Sequence, residues 1–176
     1  DVLVNNAGAS GQNPIDASGP EADQKWLDLI ATNLTGLYYM TRACLPHIPD
    51  GGRVINIASV LGKFGVPGYT AYCASKHGVI GFTRALAGEL APRGITVNAI
   101  CPGWVDTAMA ETGVRESATR LGVTTVEFKQ AANQRVPLGR FLRPDEVAPL
   151  ALYLASPAAA AMTGQAVNIE GGATTW

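Results

Sequence analysis

The sequence is short of charge. Only 15% of its 176 residues are Asp, Glu, Lys or Arg, and 13 basic side chains against 14 acidic ones leave a formal net charge of −1. No cationic stripe or excess is available to hold nucleic acid or an anionic membrane surface. Cysteine is scarce too. Cys44, Cys73 and Cys101 are odd in number and lack metal-ligand spacing, which argues against a disulfide framework or a zinc site and for reduced thiols in a cytoplasmic protein. Long hydrophobic runs are missing: polar residues or Gly interrupt every apolar stretch before the ~20 residues that a bilayer crossing needs. The first residues also lack the charged-then-apolar layout of a signal peptide.

What is present is apolar content, 47% of the chain, with 20 Gly and 11 Pro scattered as turn punctuation. Such a chain folds as one globular domain with a sizeable buried core. Asp1 to Asn5 opens directly in a short apolar run without Met, tail or cap, so the sequence reads as starting inside a domain.

Short β-branched runs alternate with helical periodicity, the pattern of a doubly wound parallel α/β sheet covered on both faces. Val2 to Val4, Arg53 to Ala58, Ile95 to Ile100 and Ala166 to Ile169 are predicted as four buried strands. From Glu21 to Ile48, Trp26, Leu29, Ile30, Asn33, Leu34, Leu37 and Tyr38 recur at helical steps and predict one long helix. A second runs from Tyr69 to Ala91. Its small residues Ala71, Ala74, Ser75, Gly78 and Gly81 suit close packing, either on the sheet or across a subunit interface. Beyond Pro102-Gly103 the pattern weakens to about Arg140, with helical pieces at Val114 to Leu121 and Val126 to Gln134: a long excursion that reads as a substrate lid. Trp104, Met109, Val114 and Leu121 in it could line an apolar pocket or simply pack as core. Pro144 and an acidic first turn announce a last helix, Asp145 to Ala155.

Tyr72 and Lys76 stand four apart, so they share a helix face about one turn from each other. An ammonium beside a phenol favours the phenolate and draws Tyr toward a pKa usable for proton transfer near neutrality. Read by themselves, the two residues are equally a solvated helix face. Ser59 follows a strand at its carboxyl end, where ligands bind in open parallel sheets and where capping serines are also common. Asn33 suits a helix interior only if its amide meets buried partners, as a structural bridge or as part of a proton relay. His77 lies about 100° around the helix from Lys76 and receives no catalytic role.

Taken in order, Asn5-Asn6-Ala7-Gly8, Thr32-Asn33-Leu34-Thr35-Gly36, Ile57-Ala58-Ser59, Tyr72-Cys73-Ala74-Ser75-Lys76, Pro102-Gly103-Trp104-Val105-Asp106-Thr107, Thr163-Gly164-Gln165 and Glu170-Gly171-Gly172 resemble the classical short-chain dehydrogenase/reductases over essentially the whole chain. The resemblance implies a Rossmann-like α/β domain, here residues 1–176 as a single partial unit forming its C-terminal two-thirds, and an NAD(P)-dependent enzyme that interconverts a ketone and a secondary alcohol. Tyr72 would be the general acid/base. Lys76 would lower its pKa and hold the nicotinamide ribose, Ser59 would polarise the substrate oxygen, and Asn33 would anchor a water passing protons to Lys76. Asn5, Ala7 and Gly8 would lie beside the adenosine and ribose, and Pro102, Gly103, Val105 and Thr107 beside the nicotinamide, Val105 through its backbone. No metal is implied.

The same resemblance places a glycine-rich phosphate loop, and the position that selects NAD or NADP, ahead of Asn5. About the first third of the domain would thus lie outside these residues, leaving Asp1 to Asn5 as an unpaired edge, and a chain of these residues alone would self-associate and bind coenzyme poorly. Arg135 to Arg140 and Ala99 to Gly103 look like 3-oxoacyl-thioester and polyketide ketoreductases, and also like 3-hydroxybutyrate dehydrogenases. A homodimer or homotetramer would form on the helices near Asn33 and Tyr72, with Gly171 to Trp176 near another interface. Two alternatives stand beside the reductase: a catalytically silent, self-associating fragment, and a non-redox enzyme on the same fold.

Overall fold

The computed structural model describes residues 1–174. Four parallel strands, β1 (Val2–Asn5), β2 (Arg53–Ile57), β3 (Thr96–Pro102) and β4 (Ala166–Ile169), lie side by side in chain order. Parallel neighbours need crossovers, and helices supply them. α1 (Pro20–Ile30), a π-helical turn (Ala31–Thr35) and α2 (Gly36–Cys44) join β1 to β2. α3 (Thr70–Leu90) joins β2 to β3, and α4 (Ala108–Leu121), α5 (Thr125–Gln134) and α6 (Pro144–Ala155) lead from β3 to β4.

Side chains alternate across the strands, so each face has its own core. On one face Val54 and Val97 pack with Ile48, Leu86, Ala87 and Leu90, and Ala58, Ala99 and Cys101 with Leu37, Val79 and Ile80, under α2 and α3. On the other, Ile55 and Ile100 meet Leu154 and Ala159 under α6. The sheet is therefore doubly wound. All three cysteines are free thiols, and burial raises the pKa of Cys101. No helix among the described residues is long and apolar enough to cross a membrane, and none of their His, Cys, Asp and Glu side chains cluster as metal ligands.

Three predicted features differ in the structure. Only β2 and β3 are deeply buried strands; β1 and β4 are the sheet's edges. Leu3 and Asn5 face the α2/α3 side, whereas Val2 and Val4 point to the α6 side and remain 46% and 45% exposed, because α6 packs over β2 and β3 and does not reach them. The helix predicted from Glu21 to Ile48 is interrupted: a π turn separates α1 from α2, and Pro46 closes the segment in a short 3₁₀ turn. The excursion after Gly103 is ordered. Thr107 caps α4, Thr124 and Glu127 form a capping box on α5, and Ala110, Val114, Ala132 and Phe141 make a separate small core with Trp104 and Phe128.

Candidate active site

Ser59, Tyr72 and Lys76 meet at the carboxyl ends of the strands. β2 ends at Ile57, and Ser59, in extended backbone, caps the 3₁₀ turn Val60–Gly62 by accepting the Leu61 N–H at 3.1 Å. That turn lies directly on α3. A Cβ on Gly62 would stand 2.6 Å from the Lys76 carbonyl oxygen and 2.8 Å from Ile80, so only glycine lets Ser59 approach the third residue of α3, Tyr72. Ser59 stands close enough to the Tyr72 phenol to lower its pKa by hydrogen bonding. Gly62→Ala is accordingly expected to cost about 1–3 kcal/mol through overpacking against backbone that cannot yield, and to weaken the Ser59–Tyr72 contact. Urea unfolding with activity measured on the same preparation checks both effects.

The electrostatics depart from the expectation for an ammonium–phenol pair. Burial raises the Tyr72 pKa above its ordinary 10.0, and the hydrogen bond from Ser59 is the influence that lowers it. Lys76, 5% exposed, donates to the Ile57 carbonyl at 2.9 Å, and its Nζ stands 5.7 Å from the Tyr72 ring centroid. Desolvation lowers its own pKa to about 8. In the protein alone, therefore, Lys76 spends one donor on β2, and the phenol is held in its protonated form.

Asn33 lies in the π turn and is 1% exposed. The wider turn carries its amide inward, where Oδ1 accepts the Ala9 N–H at 2.8 Å and Nδ2 donates to the Ala9 carbonyl at 2.9 Å and to Ser75 Oγ at 3.0 Å. Its side chain is a bridge between backbone and helix, the first of the two roles its position suggested. π turns interrupting α-helices recur at functional sites.

The residues expected around a coenzyme divide into two groups. Asn5 is buried, and its amide is committed to Thr41 (3.0 Å) and Asn56 (2.8 Å), with Asn56 passing on to Thr83 (2.9 Å). This polar ladder ties β1 to β2, α2 and α3. Ala7 and Gly8 follow β1 at the same end of the sheet as Ser59. A Cβ on Gly8 would lie 3.4 Å from Asn33 Oδ1 and 3.6 Å from Lys76 Nζ, which places the Gly8 backbone beside both side chains. Gly103 is glycine for a packing reason, since a Cβ there would meet the Glu170 Cβ at 2.7 Å. Pro102 ends β3 and pairs with Ile169, Val105 bridges to Leu142, and Thr107 caps α4 while donating to the Val105 carbonyl at 3.2 Å. The loops after β1, β2 and β3 thus leave the same edge of the sheet, the end at which an open parallel sheet takes its ligand.

Trp104, Met109, Val114 and Leu121 do not line a common pocket. Trp104 stacks on Phe141 at 4.9 Å, and Val114 is buried with them, whereas Met109 and Leu121 are 45% and 56% exposed. A cleft of about 350 Å³ does lie beside α4 and α5, bounded by Val114, Arg115, Val126, Lys129 and Phe141, away from Tyr72. Sequence reading passed over Glu116, Ser117 and Lys25. Glu116 accepts the Gln12 N–H at 3.0 Å and sits 3.7 Å from Lys25 Nζ, and Ser117 Oγ lies 3.2 Å from the Tyr69 hydroxyl, which docks α4 on the β1 loop, α1 and α3. More than 100 residues separate Gln12 from Glu116, so no local pattern could pair them.

A doubly wound parallel sheet with Ser, Tyr and Lys gathered at its carboxyl edge is the architecture of a Rossmann-like α/β domain. A family model described as enoyl-(acyl carrier protein) reductase matches residues 1–174, and the chain belongs to the short-chain dehydrogenase/reductase family. Among its relatives, a Streptomyces coelicolor protein named "Putative ketoacyl reductase" is 50% identical over 98% of this chain and 66% of its own length. A D-beta-hydroxybutyrate dehydrogenase of Cupriavidus necator is 41% identical over 98% of this chain and 67% of its own. The crystal structure of the F189W actinorhodin polyketide ketoreductase with NADPH superposes with a TM-score of 0.90 at 45% identity, covering all of this chain and 68% of that one. The chain spans about 66% of the length of curated relatives that it matches, the Streptomyces ketoacyl reductases among them.

Proposed function

We propose that the protein is an NAD(P)-dependent ketoreductase in which Tyr72 gives its proton to the substrate oxygen as a ketone becomes a secondary alcohol, and takes it back in the reverse direction. The observation that carries this reading is the gathering of Ser59, Tyr72 and Lys76 at the carboxyl end of β2, with Lys76 Nζ 5.7 Å from the Tyr72 ring centroid and Ser59 close enough to the phenol to lower its pKa. It joins a donor to the group that would polarise the same oxygen. Gly8 and Asn33 lie next to the Lys76 ammonium at the carboxyl end of the sheet, where the nicotinamide–ribose half of the coenzyme would bind. There Lys76, Ala7, Gly8 and the backbone of Pro102, Gly103 and Val105 would hold it, with Thr107 at the rim; Asn5 would act through the ladder that places its loop. When bound, the coenzyme supplies or accepts the hydride. This chain's residues do the rest: Ser59 fixes the carbonyl, Tyr72 moves the proton, and Lys76 sets the charge around the phenol. Asn33 holds the Ala9 backbone and would anchor the water that returns protons toward Lys76.

A 3-oxoacyl thioester or a polyketide-type ketone is the substrate class supported best. Both the 50%-identical relative and the actinorhodin neighbour carry names of that kind. In this chain Leu138 donates to the Gly171 carbonyl at 3.1 Å, which sets the Arg135 to Arg140 segment against the turn after β4. The NADPH in the neighbour's name favours NADP over NAD. A cytoplasmic homodimer or homotetramer completes the reading, supported by Tyr38, Tyr39 and Met40, which stand exposed on α2 beside the π turn. The interface predicted around Gly171 to Trp176 falls partly outside the described residues. Coenzyme oxidation by the full-length protein is expected to run at least about tenfold faster with acetoacetyl thioester and NADPH than with free acetoacetate and NADH. The reverse order would move the assignment to a hydroxybutyrate-type dehydrogenase, and no turnover of any ketone would favour a non-redox enzyme on the same fold.

A further inference from the structure

We propose that Ser75 is a positioning residue for the reaction, holding the turn that carries Tyr72 to the loop that lies beside Lys76. The proposal rests on the ketoreductase reading above. Ser75 is fully buried. Its hydroxyl donates to the Tyr72 carbonyl at 2.8 Å and accepts from Asn33 Nδ2 at 3.0 Å, so its donor and an acceptor position are both used. Asn33 in turn grips both backbone groups of Ala9, at 2.8 and 2.9 Å, next to Gly8. An unbroken run of four hydrogen bonds therefore joins the loop after β1, the π turn and the first turn of α3.

A serine hydroxyl bonded back to the carbonyl three residues earlier ordinarily satisfies only its own helix. This one also receives a side chain 42 positions away, in a segment whose helix is widened so that Asn33 can arrive. Alanine would fill the site just as well if packing were the only requirement. The hydroxyl is needed to join two segments whose relative position decides where the phenol stands. The groups facing that phenol are Ser59 from the turn after β2, and Lys76, Cys73 and Tyr69 from α3 and its start. Ser59 is the one of these that stabilises the phenolate by hydrogen bonding, and a small displacement of Tyr72 weakens that bond first.

Ser75→Ala and Ser75→Thr in the full-length protein test this, with the Tyr72→Phe variant as a control for the reaction itself. Ser75→Ala is expected to lower kcat about tenfold to a hundredfold, the scale of an ångström-sized misplacement, and to move the kcat–pH limb governed by Tyr72 upward. A loss of folded protein would lower the rate equally at every pH. Ser75→Thr, which keeps the hydroxyl, is expected to restore most of the rate. Should the added methyl prevent folding, hydrogen exchange at the Ala9 amide in coenzyme-free Ser75→Ala still decides: faster exchange is expected as Asn33 loses a partner. Unchanged exchange together with an unshifted pH profile overturns the proposal. If Tyr72→Phe retains full activity, the ketoreductase reading fails instead, while the exchange result still reports on the link.

Discussion

Tyr72→Phe is expected to lower ketone reduction by about 10²–10⁴-fold while leaving coenzyme affinity and melting temperature nearly unchanged. The ring fills the same partly buried slot in either residue, so the substitution removes one oxygen and the influence of Ser59 on it. A proton donor positioned at the reacting oxygen contributes a rate factor of that size. Burial already holds the phenol protonated well beyond neutrality, which suits a donor in the reductive direction. Oxidation requires the phenolate. It should therefore gain rate with rising pH over a range in which reduction does not, and fluorescence titration with NADPH beside initial rates at several pH values checks the split. Equal loss of binding and turnover would assign Tyr72 a place in the coenzyme site without a role in proton transfer.

The second large effect concerns stability. Lys76 carries a folded-state pKa of about 8 against 10.5 for the free side chain, because burial disfavours its charge. Between these values the unfolded chain binds more protons than the folded one, so unfolding free energy rises with pH across that window. The burden of burying the ammonium is complete below pH 8 and gone above about 10.5, a difference of about 3 kcal/mol for this group. Wild type should therefore gain up to about 3 kcal/mol on Lys76→Met between pH 8 and 10.5, measured by urea unfolding. Tyr72 acts in the opposite sense above pH 10, but it is present in both proteins and cancels in the comparison. A parallel pair of curves would show that Lys76 is hydrated in solution.

Helix and strand placement was legible wherever pattern is local. β2, β3 and α3 lie within a residue or two of their predicted bounds, and the acidic N-terminus of α6 is as expected, Glu146 there pairing with Arg140. Tyr72 and Lys76 share a face because a helix turns every 3.6 residues, whereas their roles were implied only by the family resemblance. Misplaced were the features settled by distant partners. The π turn exists where Asn33 must reach Ala9 and Ser75, and the expected lowering of the Tyr72 pKa gave way to burial under neighbours that no helical spacing reveals.

The order of apolar and small residues by itself determined a parallel α/β sheet and its crossover helices, since both depend on periodicities of two and 3.6 residues that a chain carries along its own length, and the motifs in order carried the family resemblance. Only the tertiary structure decided that Gly62 admits Ser59 to Tyr72, that Asn5 serves a buried ladder, and that Glu116 ties α4 to Gln12. These contacts join segments from 13 to more than 100 residues apart. Their energies come from desolvation and hydrogen-bond geometry, which exist only once the sheet has brought its loops to one edge.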